Sequence, residues 1–189
     1  MPIVPLPSPI PFFLRPFLWL AKRITGKANV PGMLLAWFPK GAMGAGVFEL
    51  SAASAPKDLE ARVLAVARIT SSAVTGCPFC LDMNAATHSR AGLKPDELKL
   101  LFSLDAAAFE SLGPREAAAA QYAVALTRTP VVLSKELVQL LHERFSPKEI
   151  VILVTTVAQV NFWSRFNQGL GIPRAGFFDD AVCPLPSGN

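Results

Sequence analysis

Two cysteines with a spacing suited to redox chemistry stand near the middle of the chain, in the run Cys-Pro-Phe-Cys at residues 77–80. Two thiols three positions apart can close a disulfide or pass two electrons to a substrate. Gly76 precedes the run and Pro78 follows its first cysteine, a pattern typical of a chain break followed by a new helix. The spacing and its context therefore predict a redox site at the start of a helix.

The start of a helix is a favourable position for a reactive thiol. We place Cys77 at the N-cap and Cys80 at the third helical position, where unpaired backbone N–H groups and the helix dipole favour an anion. The offset of three residues puts both sulfurs on one helix face. Such a pair can reduce a peroxide, because one thiolate can attack the O–O bond to give a sulfenic acid, with which the second thiol condenses.

Three other interpretations of the cysteine pair compete with the redox one. A zinc site would need two more ligands, and only His88, His142 and Cys183 remain, without a second close pair. A thioredoxin-type site would need a βαβ pattern, which we do not find. The two cysteines could also be buried as small apolar residues. We expect neither a metal nor a cofactor.

The elements that must position the pair are predicted to be helices throughout. No segment shows sustained alternation of apolar and polar residues, so the fold class is all-α. A bend is expected at Pro16, and Ser146 with Glu149 forms a capping box that starts the longest helix. Helix-breaking and capping residues give these predicted helices: 12–25, 31–53 in two pieces broken near 39–41, 56–73, 77–90, 95–102, 114–128, 134–144 and 147–167.

Composition narrows the class of protein. The chain has 189 residues, 51% hydrophobic and 17% charged, so we expect one domain that buries part of its apolar surface against other subunits. The net charge of +4 comes from scattered basic residues, which gives no support for a nucleic-acid partner. Three cysteines make an odd number, which argues against a secreted disulfide framework and favours the cytoplasm.

We divide the chain into a Pro-rich N-terminal arm with an amphipathic helix (1–30), a helical domain (31–175) and a C-terminal tail (176–189). The apolar stretch 10–20 has no basic segment before it and no small-residue cleavage site after it, so no signal peptide is expected. The apolar run 150–160 is too short to span a bilayer, so no membrane insertion is expected. Cys183, in the tail, is expected to be an incidental thiol.

The residues around the cysteine pair resemble the alkylhydroperoxidase D-like / carboxymuconolactone decarboxylase family. The likeness rests on Gly-Cys-Pro-Phe-Cys-Leu-Asp-Met at 76–83, on the segments 145–151 and 161–167, and on Gly-Ile-Pro at 171–173, and it covers roughly residues 30 to 175. The resemblance implies an alkylhydroperoxidase-like helical bundle and a homo-oligomer (a dimer, trimer or hexamer). It also implies reduction of small hydroperoxides through the cysteine pair, with an unidentified thiol reductant as partner.

The resemblance also implies roles for single residues. In peroxidase members the second cysteine attacks and the first resolves, so Cys80 is the expected peroxidatic residue and Cys77 the resolving one. Asn84 stands where the family has its proton-relay histidine, and Ala65 where it usually has a glutamate. His88 is a candidate relay on the same helix, but about 12 Å of helix rise separates it from Cys80, so water or Asn84 would have to bridge. Its alternative role is that of a surface or helix-end residue.

Other polar residues near the pair carry weaker expectations. Glu60 could approach from the preceding helix, although its offset differs from that of the family's glutamate. Asp82 is expected on the exposed face of its helix or as support for the helix N-terminus. Asn161 and Arg165, four residues apart in an apolar helix, are expected to bond each other or a loop carbonyl, and the alternative is that they line the pocket or an interface.

Three functions follow, in order of preference. The first is a thiol-dependent hydroperoxide reductase, with organic hydroperoxides favoured by the apolar surroundings. The second is a lyase-like, non-redox enzyme of the same fold, as the decarboxylase relatives are, although those use His and Arg on their substrate. The third is a helical oligomer with a weakened site, because both relay groups are missing from the sequence.

Overall fold

The computed structural model describes residues 2–185, so that residues 186–189 of the predicted tail lie outside it. Within that range every regular element is a helix, which confirms the all-α prediction. The α-helices are α1 (Arg15–Thr25), α2 (Val30–Leu35), α3 (Pro39–Ser54), α4 (Ala61–Thr75), α5 (Pro78–Ala85), α6 (Pro95–Ser103), α7 (Ala106–Phe109), α8 (Pro114–Thr127), α9 (Lys135–Arg144) and α10 (Pro147–Gly169). None of these is long and apolar enough to cross a bilayer.

Helix α4 is the centre of the fold because apolar side chains cover it on nearly all sides. It packs against α8, α10 and α5. Its residues Val63, Leu64, Val66, Ala67 and Ile69 are almost completely buried. Helix α8 meets it with a run of buried alanines, whose small side chains allow a close approach of the two helices. The end of α4, from which the chain turns into the cysteine helix α5, is therefore held firmly.

Helices α1, α2 and α3 lie outside this core. Many of their large apolar side chains are exposed, and the open cavity of about 500 Å³ between them is almost entirely apolar. The N-terminal arm is fastened to the body at two points: Ile3 donates its backbone N–H to Leu170 (2.9 Å), and the Trp37 indole donates to the carbonyl of Pro5 (2.9 Å). The N-terminal segment thus reaches the residues that follow α10.

Two prolines lie in structures that differ from the predicted ones. The sequence predicted a bend at Pro16 and the start of a long helix at Pro56. Pro16 lies in the first turn of α1, where its missing N–H leaves no hydrogen bond unmade, and the residues before that helix, Phe12–Leu14, form a 3₁₀ turn. Pro56 lies in a 3₁₀ turn, Ala55–Lys57, that follows α3. Helix α4 therefore begins only at Ala61, with Glu60 as its N-cap.

The cysteine helix is also shorter than predicted. Helix α5 ends at Ala85 instead of residue 90, and a 3₁₀ turn, Ser89–Ala91, follows. The backbone N–H groups of Thr87 and His88 bond to the carbonyls three residues earlier (3.1 Å each), which tightens the chain out of α-helical geometry. Helix α7 had no counterpart in the sequence prediction.

Helix α10 begins as predicted. The Ser146 hydroxyl accepts from the Glu149 N–H, and the Glu149 carboxylate accepts from the Ser146 N–H (2.7 Å). This backbone N–H, with the Arg115 guanidinium, lowers the pKa of Glu149 to about 2. The helix runs to Gly169, two residues beyond the predicted end. Its last two turns face the cysteines.

Candidate functional site

Cys77 and Cys80 lie together at the N-terminus of α5, as predicted. Cys77 is the N-cap, and its Sγ accepts the backbone N–H of Cys80 at 3.2 Å. Gly76 ends α4 at φ +63°, a left-handed conformation that lets the chain turn sharply into α5. Both thiols are free and buried, with exposures of 0% and 2%. The pair is therefore preformed and shielded from solvent.

The shield over the sulfurs is apolar and comes from three parts of the chain. Leu34 covers them from α2, Phe79 from α5 itself and Ile172 from the segment after α10. Further partly buried side chains pack around this cluster: Val30, Trp163, Phe166, Leu170, Ala175 and Phe177. In such surroundings charges and hydrogen bonds at the sulfurs act more strongly than they would in water.

The two thiols do not share negative charge equally. A hydrogen bond from the Cys80 thiol lowers the pKa of Cys77 to about 7 against the opposing effect of burial, with help from the Cys80 N–H and from Ser164 and Asn167. The pKa of Cys80 is raised by the same thiol–thiol hydrogen bond, by burial and by the charge on Cys77. The first negative charge of the reduced pair therefore forms on Cys77, above about pH 7, while Cys80 stays protonated.

Helix α10 presents two polar side chains to the sulfurs, and sequence reasoning missed both. The Asn167 amide donates from Nδ2 to Cys80 Sγ at 3.2 Å. Ser164, one turn earlier and fully buried, accepts from the Thr75 hydroxyl (3.0 Å) and lowers the pKa of both thiols. A serine and an asparagine three residues apart share one face of a helix, and that spacing in an apolar helix was the available signal.

The structure does not bring the predicted relay residues to the sulfurs. Asn84 donates its amide to the Ser72 hydroxyl on α4 (2.9 Å), and Ala65 is part of the main core. His88 lies beyond the end of α5, with Nδ1 at 2.9 Å from the Ala85 carbonyl and its ring against Phe178. Neither Asn84 nor His88 bonds to a cysteine sulfur within residues 2–185. A relay role for either stays a prediction.

Glu60 stands at the opposite end of α4 from the cysteines. Its carboxylate pairs with Arg115 (2.8 Å), and about 22 Å of helix rise separates the two ends of α4. The idea that Glu60 could replace the missing glutamate is therefore wrong. Cys183 is buried in the main core, in a different cluster from the cysteine pair.

The prediction that Asp82 lies on the exposed face of its helix was wrong. The side chain is 0% exposed, and its carboxylate accepts four backbone N–H bonds of 2.8–3.1 Å from residues Ala175, Gly176, Phe177 and Phe178. Arg174 adds an ion pair at 3.5 Å. Phe177 in turn packs edge-on against Phe79. Asp82 thus anchors the segment that covers the thiols.

The pair Asn161 and Arg165 also differs from expectation. The Asn161 amide donates to the Thr127 hydroxyl on α8 (3.1 Å) and to the Val157 carbonyl of its own helix (2.9 Å). Arg165 is exposed and is not a partner of Asn161. Asn161 therefore joins two helices and takes no part in the site.

Comparisons with known proteins show which families and proteins this chain is similar to. Residues 42–125 match the sequence model of the Carboxymuconolactone decarboxylase family. An uncharacterized protein of Escherichia coli (strain K12), YnjA, is 29% identical over 183 residues, which cover 95% of this chain and 94% of that one.

Two solved structures share the fold. The alkylhydroperoxidase AhpD core of a peroxidase-related protein from Ralstonia eutropha JMP134 has a TM-score of 0.77 at 15% identity, covering 97% of this chain and 95% of that chain. The debrominase Bmp8, in complex with 2,3,4-tribromopyrrole, has a TM-score of 0.75 at 19% identity, covering 89% of both. The family model over residues 42–125 and the shared fold support the resemblance to the alkylhydroperoxidase D-like / carboxymuconolactone decarboxylase family that the sequence indicated.

Proposed function

We propose that this protein is a peroxidase that reduces organic hydroperoxides with the Cys77–Cys80 dithiol. The observation that carries the proposal is the preformed pair itself: two buried free thiols at a helix N-terminus, where Cys77 Sγ accepts the Cys80 N–H and Cys80 Sγ accepts from Asn167. Cysteines that were buried only as small apolar residues would not need these donors.

The arrangement suggests how the pair works without a histidine relay. The Cys77 thiolate accepts the Cys80 proton while Cys80 Sγ attacks the terminal peroxide oxygen, so the base is the neighbouring cysteine. The O–O bond breaks, and the alkoxide leaves as an alcohol with the proton from Cys77, which gives Cys80 sulfenic acid and a Cys77 thiolate. Cys77 then attacks the Cys80 sulfur, and hydroxide leaves and becomes water with a proton from solvent. One hydroperoxide and two thiols thus give an alcohol, water and a disulfide.

This sequence of steps keeps the predicted roles, with Cys80 peroxidatic and Cys77 resolving. The resting charge on Cys77 is then the charge of a base. An external dithiol has to reduce the disulfide after each turnover, by thiol–disulfide exchange. The electron donor of the protein is therefore expected to be a dithiol.

The apolar surroundings favour an organic substrate over hydrogen peroxide. Helix α2 covers the thiols with Leu34 on one side and lines the open cavity of about 500 Å³ with Gly32 and Leu35 on the other. Trp163 contacts both the thiol cluster and the cavity. A volume of this size suits a small apolar molecule, with few polar groups to hold a charged one.

A second candidate is reductive dehalogenation, which the same dithiol and apolar cover can also support. A thiolate would take bromine from carbon, the carbon would gain a proton, and the second thiol would displace bromide to close the disulfide. The debrominase Bmp8, with its bound tribromopyrrole, shares this fold. The lyase-like alternative has less support, because neither histidine bonds to the pair within the described residues.

Steady-state turnover with cumene hydroperoxide and dithiothreitol tests the proposal. We expect turnover from the reduced protein and none above background from Cys77→Ser or Cys80→Ser, while the control Cys183→Ser keeps full activity. Full turnover by either serine variant of the pair would overturn the proposal. A parallel assay for bromide release from tribromopyrrole separates the second candidate, since a debrominase would release bromide and leave the peroxide untouched.

A further inference from the structure

The Asn167 side chain hydrogen-bonds the reacting sulfur, and the oxygen of its amide has no partner among the described residues. It is 1% exposed in the last turn of α10. Its Nδ2 donates to Cys80 Sγ at 3.2 Å, whereas its Oδ1 is buried and has no hydrogen bond among the described residues. Buried acceptors are nearly always satisfied, so an unpartnered one beside a reactive thiol calls for an explanation.

The unpartnered oxygen does not belong to a loosely held side chain. The Asn167 backbone carbonyl accepts the Ile172 N–H (2.9 Å), which fixes the turn after α10 against the thiols. One turn earlier, the Ser164 hydroxyl lies 3.0 Å from the Thr75 hydroxyl, and it lowers the pKa of both thiols as a donor to sulfur does. Helix α10 therefore brings two donors and one spare acceptor to the cysteine pair.

The chemistry proposed above brings one O–H group to this position. A hydroperoxide carries an O–H on the oxygen that Cys80 attacks, and the product sulfenic acid carries an O–H on Cys80 itself. Either hydroxyl needs an acceptor in a site as buried as this one. The amide that already holds Cys80 Sγ through nitrogen offers that acceptor through its oxygen.

We propose that Asn167 is a catalytic residue of the pair: its Nδ2 holds Cys80 Sγ, and its Oδ1 accepts the O–H of the bound hydroperoxide and then of the sulfenic acid. The second half of this statement rests on the proposed peroxidase function, and the first half does not. The proposal gives the site a polar group outside the positions of the missing histidine and glutamate. It also limits the best substrates to peroxides with a free hydroperoxy hydrogen.

Few other groups face the sulfurs, which makes a pH profile informative. The elements packed against them are α2, α4, α10 and residues 170–177, and these bring apolar side chains together with Thr75, Ser164 and Asn167. The Asp82 carboxylate is taken up by the backbone of residues 175–178, and Arg174 pairs with Asp82 and Asp180. Among residues 2–185, no other ionisable side chain hydrogen-bonds to either sulfur.

The test uses the full chain with Asn167→Leu, the isosteric Asn167→Asp, and Asn161→Leu as a matched control on the same helix. The first readout is the rate at which iodoacetamide alkylates the reduced pair between pH 5 and 10, followed by peptide mass. The second is single-turnover oxidation by cumene hydroperoxide. Chemical unfolding checks that each variant is folded, and Asn167→Asp keeps the side-chain shape if Asn167→Leu fails to fold.

We expect Asn167→Leu to move the alkylation midpoint up by about one pH unit, which slows alkylation about tenfold at pH 6. Asn167→Asp should move it further, because a carboxylate repels a neighbouring thiolate. Oxidation by the hydroperoxide should fall by more than alkylation does in Asn167→Leu, and remain slow at pH 10, where thiolate formation no longer limits the rate. Asn161→Leu should match the wild type in both readouts.

Two results would overturn the inference. An unchanged alkylation midpoint in both Asn167 variants would show that Nδ2 does not stabilise the pair. Oxidation that recovers fully at pH 10 would show that Oδ1 has no part in handling the hydroxyl. If the wild type itself is not oxidised by the hydroperoxide, the peroxidase proposal fails, while the alkylation profiles still decide the role of Nδ2.

Discussion

Helix α5 carries two buried polar sites on different faces. The sites differ in whether every polar side-chain atom has a hydrogen-bond partner. On one face the Asp82 carboxylate accepts four backbone N–H bonds and has Arg174 beside it. On the other face the sulfurs of Cys77 and Cys80 meet Asn167, whose Oδ1 has no partner within residues 2–185. Both Asp82 and Asn167 are almost completely buried, at 0% and 1% exposure.

The difference shows how satisfaction of hydrogen bonds separates structure from chemistry. A buried charge with every acceptor position used stabilises the fold, here by fastening residues 174–178 over the thiols. A buried amide with one free acceptor contributes little to the fold, and its free acceptor suits a ligand hydroxyl. Changing one site at a time tests whether the two sites differ in this way.

The largest expected effect comes from Asp82→Ala. Four buried N–H groups would lose their acceptor, so we expect the free energy of unfolding to fall by about 3–5 kcal/mol, measured by urea denaturation. Asp96→Ala, on the exposed surface of α6, is the control and should change it by about 0.5 kcal/mol or less. If Asp82→Ala lowers the free energy of unfolding no more than Asp96→Ala does, the structural role of Asp82 is contradicted.

The next effect concerns the charge on the thiols. Because the pKa of Cys77 is lowered to about 7, the thiolate persists above that pH and is lost as pH falls through it. The alkylation rate of the reduced wild type should therefore be constant above about pH 8 and drop about tenfold per pH unit below about pH 6. An ordinary thiol would instead show a midpoint near pH 8.5, which would remove the charged pair from the account.

A smaller effect is expected for the stability of Asn167→Leu. Leucine has nearly the same volume, and the change removes a buried acceptor that has no partner, so the free energy of unfolding should change by about 1 kcal/mol or less in either direction. The same denaturation experiment as for Asp82 measures it. A loss as large as that of Asp82→Ala would assign Asn167 to the framework of the fold.

The smallest effect is expected for His88→Ala. Its ring contacts Phe178 and the Ala85 carbonyl rather than the sulfurs, so hydroperoxide turnover should change less than about twofold. His142→Ala, on the exposed surface of α9, serves as the control. A drop of tenfold or more, confined to His88→Ala, would support the relay role that the sequence suggested.

Local sequence signals, above all helix caps, predicted the fold class and the position of the cysteine pair. The N-cap position of Cys77, the capping box of Ser146 and Glu149, and the all-α class were all readable because they depend on neighbours in sequence. The limits of α4 and α5 were predicted less well. Pro56 and the residues after Ala85 form 3₁₀ turns, which local propensity does not separate from α-helix.

The surroundings of the site could not be read in the same way. Asn167 and Asp82 have partners 87 and up to 96 residues away, and such contacts depend on how helices pack. The polar side chain that hydrogen-bonds a cysteine sulfur in residues 2–185 does not lie at the sequence positions that matched the family's relay. Asn84 and Ala65 face α4 and the core, whereas Ser164 and Asn167 reach the cysteines from α10.

The central claim, that Cys77 and Cys80 act together as a two-electron reductant, is tested most directly by one stoichiometric oxidation. Reduced protein is treated with one equivalent of cumene hydroperoxide, and free thiols, intact mass and a peptide map are recorded. We predict the loss of two of the three thiols, a mass decrease of about two daltons and a Cys77–Cys80 disulfide, with Cys183 still free. Three free thiols after prolonged exposure would contradict the account.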